Sequence, residues 1–386
     1  MRFLPDGILM RVLHVIESTL GGTRRFLEDI FDARAECDDA LAFATERADA
    51  GFDRLLARIR GSRWTTYPLD LTRPVAPARD AAGIVALRRI VRHAAPDVIH
   101  AHSSKAGAVS RFANATLRRR VALVYSPHAV AAHMGRVYLA IERVLAPFAD
   151  VFAAVSPSER AEIAALGLAS GTRIAVLVPT IRPDRFVSGD RAAARRALAI
   201  ADGPLVVGIG RLVPQKDPLA FVEAVSRLAA HVQGVRAIWV GDGDLRGAVE
   251  QAIDVHGLRE RVTIAGWCED VRPYLAACDV FLSTSAYESF GYVTAEAFAM
   301  DRPVVASRIT GTVDVVVHDR DRVLYPRGDA DAAARAVAAL LADGDSASRI
   351  AARGRAHVLE TYSPQATRRA LDEAYAAALA RRGAAR

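Results

Sequence analysis

The sequence predicts two doubly wound α/β domains in tandem. Short apolar runs of strand length alternate with helix-length segments along the chain, the alternation halts once at a proline-bracketed segment and then restarts, and 386 residues exceed what one hydrophobic core ordinarily serves. Hydrophobic residues make up 52% and aromatics only 6%, which suits a parallel sheet rich in Ala, Val and Leu better than an all-β sandwich.

The first strand is expected at Arg11 to Ile16, followed by Gly21-Gly22-Thr23 and a helix from Arg24 to about Ala35. Further strands are predicted at 40–44, 97–101, 121–126 and 151–156, with helices at 78–94 and 136–149. Val178-Pro179-Thr180-Ile181-Arg182-Pro183 reads as an extended linker, because each proline biases its predecessor away from helix. Strands then recur at 205–209, 237–240, 262–264, 280–283 and 304–306, with helices at 218–230, 245–255 and 294–299 between them. Helices at 330–342, 346–361 and 364–381 close the chain. Two such units place the carboxyl ends of both sheets, where open α/β folds bind ligands, at an expected interdomain cleft.

Average Gly (26) and Pro (17) exclude collagen-like and low-complexity classes. Cys37, Cys268 and Cys278 are odd in number and widely spaced, so they read as reduced thiols. No apolar run reaches membrane-span length, and Pro5, Asp6 and Arg11 interrupt any signal-peptide stretch; a cytoplasmic protein is expected. Met10 is a candidate true start, which would make residues 1–9 an extension. Residues 1–185 carry 26 Lys+Arg against 19 Asp+Glu, whereas residues 186–386 carry 25 against 25, so the whole excess lies in the first half. Arg88, Arg89 and Arg92, with Arg118-Arg119-Arg120, make peripheral contact with an anionic membrane an expectation. No aromatic-basic interleaving points to nucleic acid.

Only Lys105 and Lys216 are lysines. Lys216 lies in Gly208-Ile209-Gly210-Arg211-Leu212-Val213-Pro214-Gln215-Lys216-Asp217, a strand, turn and helix start that places two cations beyond a strand end. Cations at a helix N-terminus oppose its dipole unless an anion lies between them. The third glycine of a dinucleotide fingerprint is absent, and neither lysine is in a Walker A sequence. The most informative segment is Glu288-Ser289-Phe290-Gly291-Tyr292-Val293-Thr294-Ala295-Glu296. The amides opening its helix suit a phosphate, and Glu288 and Glu296 suit neutral hydroxyls on either side of it, the layout of a nucleotide sugar.

These residues resemble the retaining glycosyltransferases of family 4, which have the GT-B architecture of two Rossmann-like domains. Glu288 and Glu296 match the E-x7-E motif, Gly210-Arg211-Leu212 with Lys216 matches the phosphate turn, and Gly241-Asp242-Gly243, Gly266 and Gly21-Gly22 follow the family's order. The resemblance implies residues 1–183 as the acceptor-side domain, 184–362 as the donor domain, and a last helix, 363–386, crossing back to the first. It implies Arg211 and Lys216 on the diphosphate, Glu296 on the ribose, and Glu288 with the Phe290 and Gly291 amides, flanked by Ser289 and Tyr292, on the transferred sugar. It places Trp267 near the base, His128 toward the donor sugar and Lys105 on the acceptor side. The exopolysaccharide and O-antigen branch is the nearest in pattern, which implies a lipid-linked saccharide acceptor and UDP in preference to GDP.

No metal or other cofactor is expected, since Arg211 and Lys216 already supply two positive charges. Asp242-Gly-Asp244 and Asp319-Arg-Asp321 offer the competing Asp-x-Asp metal reading. His100-Ala-His102 is expected to direct its rings to opposite sides of a sheet and so to bind no metal. The chain departs from the family at Thr310-Gly311-Thr312-Val313-Asp314, at Asp321-Arg322 and in its linker, which lacks an Asn-Gly turn. The alternatives are a UDP-sugar 2-epimerase of the same build and a non-catalytic sugar-nucleotide-binding protein.

Overall fold

The computed structural model describes residues 10–46, 48–129, 135–317, 319 and 323–384. The chain forms two compact units, one running to Thr180 and including the segment from Pro364 onward, the other Ile181–Ser363.

The first unit is built on β1 (Val12–Ile16), β2 (Ala40–Ala44), β3 (Thr65–Leu69), β4 (Val98–His102), β5 (Ala122–Ser126), β6 (Val151–Ala154) and β7 (Ile174–Val176). They pair in parallel in the order β3-β2-β1-β4-β5-β6-β7. Parallel pairing forces helical crossovers, supplied by α1 (Gly21–Arg34), α2 (Ala50–Arg60), α3 (Pro77–Ala94), α4 (Ser104–Ala115), α5 (Arg136–Leu145) and α6 (Pro157–Ala165). Their starts are chemically marked: the Asp49 carboxylate accepts from Phe52 N at 2.8 Å, the Ser156 hydroxyl accepts from Glu159 N at 3.1 Å, and α3 and α6 begin with proline.

One sheet face is apolar, with Leu13, Val15, Ile99, Ala101, Leu123 and Tyr125 in a buried cluster. The intervening positions include His14, His100 and His102, all fully buried. This corrects the expectation for His100 and His102. Side chains alternate with period two, so residues i and i+2 share a face; their ring centroids lie 4.0 Å apart. The C-terminal helix Pro364–Ala384 closes over this face, with Tyr375 OH 2.9 Å from His100 Nδ1 and Thr367 Oγ1 2.8 Å from Thr180 Oγ1.

The second unit has β8 (Leu205–Ile209), β9 (Arg236–Val240), β10 (Val262–Gly266), β11 (Val280–Ser283), β12 (Val304–Ser307) and β13 (Leu324–Tyr325), all parallel, in the order β10-β9-β8-β11-β12-β13. The chain reverses its direction of winding between β8 and β11, so this pair is the sheet's switch point, the place at the strands' carboxyl ends where open α/β folds bind ligands. Helices α7 (Arg191–Ala197), α8 (Pro218–Ala229), α9 (Arg246–Val255), α10 (Arg272–Ala277), α11 (Tyr292–Ala299) and α12 (Thr312–Val315) follow in chain order. Among the described residues, no helix is long and apolar enough to cross a membrane.

Candidate functional site

The site of the second unit forms where the β8 and β11 loops meet. Gly210 and Arg211 leave β8, held by Gly210 N donating to Val240 O at 3.0 Å and by the Trp239 indole donating to Gly210 O at 2.9 Å. Gly241, at the end of β9, packs so closely that a Cβ there would lie 2.0 Å from Gly210 O, and its φ of +140° is itself a glycine conformation. The glycine after β9 therefore sets the height of the Arg211 turn. Arg211 is exposed.

Lys216 ends this loop, just before Asp217, whose carboxylate caps α8 at Ala220 N (3.3 Å). The Lys216 ammonium pairs with Glu288 Oε1, which also accepts from Ser285 Oγ at 3.0 Å. The β11 loop is stitched to the β8 loop by backbone: Ala286 N donates to Gln215 O at 2.8 Å, and Thr284 Oγ1 reaches Lys216 O (3.1 Å) and Asp217 O (2.9 Å). Ser307 Oγ donates to Ser285 O at 2.6 Å, and Tyr325 OH to Ser283 O at 3.0 Å, anchoring the same loop to β12 and β13. Gln215, Thr284, Ser285, Ser307 and Tyr325 carry no motif signal, and only strand adjacency identifies them.

Beyond Glu288, the Phe290 ring is buried edge-on against Tyr292 (5.1 Å) and Tyr362 (4.7 Å), which fixes the entry of the chain into α11. Ser289 and Tyr292 are half-buried on either side of that entry, and Gly291 caps the helix without a side chain. Glu296 follows inside α11, with 1% exposure. Gly311, part of the departure from the family pattern, has φ +80°, and a Cβ there would lie 2.6 Å from Phe290 N. That residue is consequently a packing element of the Ser289–Phe290 backbone. Trp267 lies just past β10, whose register shifts between Ile264 and Gly266, and is 67% exposed, an available stacking face.

Asp242 does not present free oxygens to a metal: Oδ1 accepts from Gly243 N and Oδ2 from Arg246 Nη1, both at 2.8 Å. The Gly243 amide first, and then Arg246, hold its carboxyl below the ordinary range. Asp319 pairs with Arg353 at 3.3 Å, and Asp321 and Arg322 lie outside the described residues.

In the first unit, His128 follows β5 at φ +54°, and Glu159 fixes the next turn by accepting from Ala129 N (2.8 Å) and Val155 N (2.7 Å). Burial lowers the His128 imidazole to about 3, so it is neutral at physiological pH. Gly21 and Gly22 open α1 exposed, with no side-chain cap. Lys105 donates to both oxygens of Asp80 (2.7 and 2.8 Å) and to Pro74 O (2.8 Å), so its charge is already matched inside the unit. Among the described residues, the one grouping of donors close enough to gather a metal is His14, His100 and His102, within 4.8 Å.

Two tandem doubly wound units of parallel strands are the architecture of the GT-B glycosyltransferases. Residues 21–185 match the family model "Glycosyltransferase Family 4" and residues 203–343 the model "Glycosyl transferases group 1". The chain is 33% identical over 308 residues to a D-inositol 3-phosphate glycosyltransferase of Nocardia farcinica, covering 73% of this chain and 67% of that protein. It is 28% identical over 373 residues to the lipopolysaccharide core biosynthesis glycosyltransferase LpsD of Rhizobium meliloti, covering 95% and 97% of the two chains. It is also 36% identical over 196 residues to LpsE of the same organism, covering 51% of this chain and 54%, about half, of that protein. The chain belongs to glycosyltransferase family 4. Among solved structures, Anabaena Alr3699/HepE in complex with UDP-glucose superposes with a TM-score of 0.82 at 24% identity, covering 95% of this chain and 99% of that one, a likeness of fold.

Proposed function

We propose that this protein transfers a hexose from a nucleoside diphosphate sugar, UDP in preference to GDP, to a saccharide hydroxyl on a lipid-linked acceptor, with retention of anomeric configuration. The Lys216–Glu288 pair at the sheet switch point carries this reading. It holds a cation beside a carboxylate suited to sugar hydroxyls, next to the open amides of α11. In the reaction, Arg211, Lys216 and those amides stabilise charge developing on the departing diphosphate, the electrostatic contribution whose donors are each worth about 10²- to 10³-fold. Glu288 and the Phe290 and Gly291 amides hold the hexose, Glu296 the ribose and Trp267 the base. His128 meets a saccharide hydroxyl. Gly21 and Gly22 leave the start of α1 open to a polar ligand group.

Thermal denaturation in the presence of UDP, GDP and their sugars tests the donor. Stabilisation by UDP compounds above GDP compounds is the expected order, and no stabilisation by any nucleotide counts against the whole reading. Two cations at the diphosphate make a metal unnecessary, so activity should survive exhaustive chelation; loss on chelation with recovery on adding Mn²⁺ would return the Asp-x-Asp reading.

A lipid-linked acceptor fits a further feature of the first unit. Val137, Ile141 and Val144 recur on one side of α5 with 71%, 39% and 69% exposure, and Arg136 and Arg143 on the same helix are exposed. Arg118, Arg119 and Arg120 are exposed after α4. Binding to vesicles containing anionic lipid is expected to weaken with added salt and with Arg118→Glu; indifference to both removes the membrane role.

A further inference from the structure

Behind His128 runs a line of imidazoles that the reaction scheme leaves unused. His128 Nε2 lies 3.3 Å from His102 Nδ1, and His102 Nε2 lies 3.3 Å from His14 Nδ1. His14 Nε2 faces Asp39 Oδ2 at 3.9 Å, longer than a hydrogen bond but within the carboxylate's field. Asp39 is itself fixed: Arg34 Nε donates to Oδ2 at 2.6 Å, while Arg34 Nη2 (3.0 Å) and Val12 N (2.8 Å) donate to Oδ1. The Trp64 indole stacks on His14 at 4.9 Å with 3° between the planes, and donates to Arg34 O at 3.1 Å, so the plane of the first ring is held.

A neutral imidazole has one N–H and one lone pair, so a line of nitrogen-to-nitrogen hydrogen bonds has only two proton orders. In one, every ring carries its proton on Nε2; in the other, every ring carries it on Nδ1. The two orders differ at the Asp39 end, where His14 Nε2 presents either an N–H or a lone pair to a carboxylate. An N–H is attracted there and a lone pair is repelled. We propose that Asp39 sets the proton order of this line, so that His14, His102 and His128 are all Nε2–H imidazoles and His128 offers its Nδ1 lone pair as a hydrogen-bond acceptor.

The consequence for transfer rests on the reading of His128 as the group that meets a saccharide hydroxyl. In this state it accepts from that hydroxyl and cannot donate to an ether or ring oxygen, which makes Asp39, His14 and His102 positioning residues for its selectivity. His100 stands beside the line without belonging to it, since its partners are the hydroxyls of Tyr375 (2.9 Å) and Ser126 (3.0 Å), either of which can donate or accept. The competing use of these rings is a metal at His14, His100 and His102. That would require lone pairs on His14 and His102 aimed at one point, where the line points an N–H of one at the lone pair of the other.

The test is long-range ¹H–¹⁵N correlation on protein labelled at histidine nitrogen, at pH 7.5 without substrate, with His128 assigned by the loss of its signals in His128→Gln. The expected result is a pyrrole-type Nε2 and a pyridine-type Nδ1 for His14, His102 and His128. His14→Phe keeps the stack on Trp64 but removes the link to Asp39. His102 then avoids burying an unsatisfied Nε2–H, moves its proton to Nδ1, and His128 reverses to Nδ1–H. An Nδ1–H His128 in the unmodified protein, or no reversal in a folded His14→Phe variant, overturns the proposal, as does Zn²⁺ addition that shifts the His14 and His102 nitrogens. If His14→Phe does not fold, the unmodified spectrum alone decides. Because the spectra need no turnover, an inactive preparation leaves this test standing, and an active one with the wrong tautomer removes only the relay.

Discussion

Replacing Arg211 or Lys216 with alanine is expected to lower turnover by about 10²-fold, because each removes a preorganised cation from the charge that builds on the leaving diphosphate. The two variants should differ in a second property. Arg211 is exposed, and interactions of exposed side chains are weak, so its loss shifts thermal stability only marginally. Lys216 is paired with Glu288, with side-chain exposures of 20% and 12%, so its loss also strands a carboxylate and lowers the melting temperature slightly. Both should act on kcat and on kcat/KM together, the pattern of an interaction made chiefly in the transition state. Lys216→Ala and Glu288→Ala should combine non-additively, since each deletes the other's partner. Turnover within a few-fold of the unmodified protein in both single variants would remove the diphosphate assignment.

Acidification below about pH 6.5 is expected to unfold the first unit steeply. His14, His100, His102 and His128 are held below the ordinary imidazole value of 6.5, in each case chiefly by burial. The sign follows from which state binds protons first. Above pH 7 both states are neutral at these rings and stability does not depend on them. Below 6.5 the unfolded chain takes up protons that the folded chain refuses, so stability falls as pH falls, and for His128 the loss continues toward pH 3. Each ring that stays neutral while its unfolded counterpart is charged lowers stability by about 1.4 kcal/mol per pH unit, so several acting together draw on a large fraction of a domain's stability. Asp39 adds to the trend at lower pH. Burial alone would raise its carboxyl, but the hydrogen bonds from Arg34 and the nearby His14 ring hold it below the ordinary range, so its contribution is present above the ordinary carboxylate range and disappears on further acidification. Urea midpoints of the first unit's β4 amides, followed by hydrogen exchange at pH 7.5, 6.5 and 5.5, check this; a slope corresponding to less than one proton means that the rings are hydrated or already charged.

The strands that were legible in the sequence are, β10 apart, those in the sheet interiors. The interior strands β1, β2, β4, β5, β8, β11 and β12 are short, mostly apolar runs, because both faces of a parallel sheet are covered. β3, β7 and β13 were not legible, and each lies at a sheet edge where the pattern weakens: Thr65–Leu69 includes exposed positions and a proline, Ile174–Val176 is three residues, and Leu324–Tyr325 is two. The same division holds for chemistry. Glu288 and Glu296 are eight positions apart and are found by spacing, whereas Lys216 and Glu288 are 72 apart and meet only because β8 and β11 are adjacent.

By itself the sequence determined the two-unit α/β plan, the glycine turns and the residue types of the proposed nucleotide-sugar site, because periodicity and turn chemistry are local properties of a chain. Tertiary structure alone decided which charges are matched. It joined Lys105 to Asp80 and Lys216 to Glu288, and through the lateral pairing of β1 with β4 it aligned His14 and His102 behind His128. Such partners come from distant segments, and the strand order that brings them within hydrogen-bonding reach is written in no single stretch of residues.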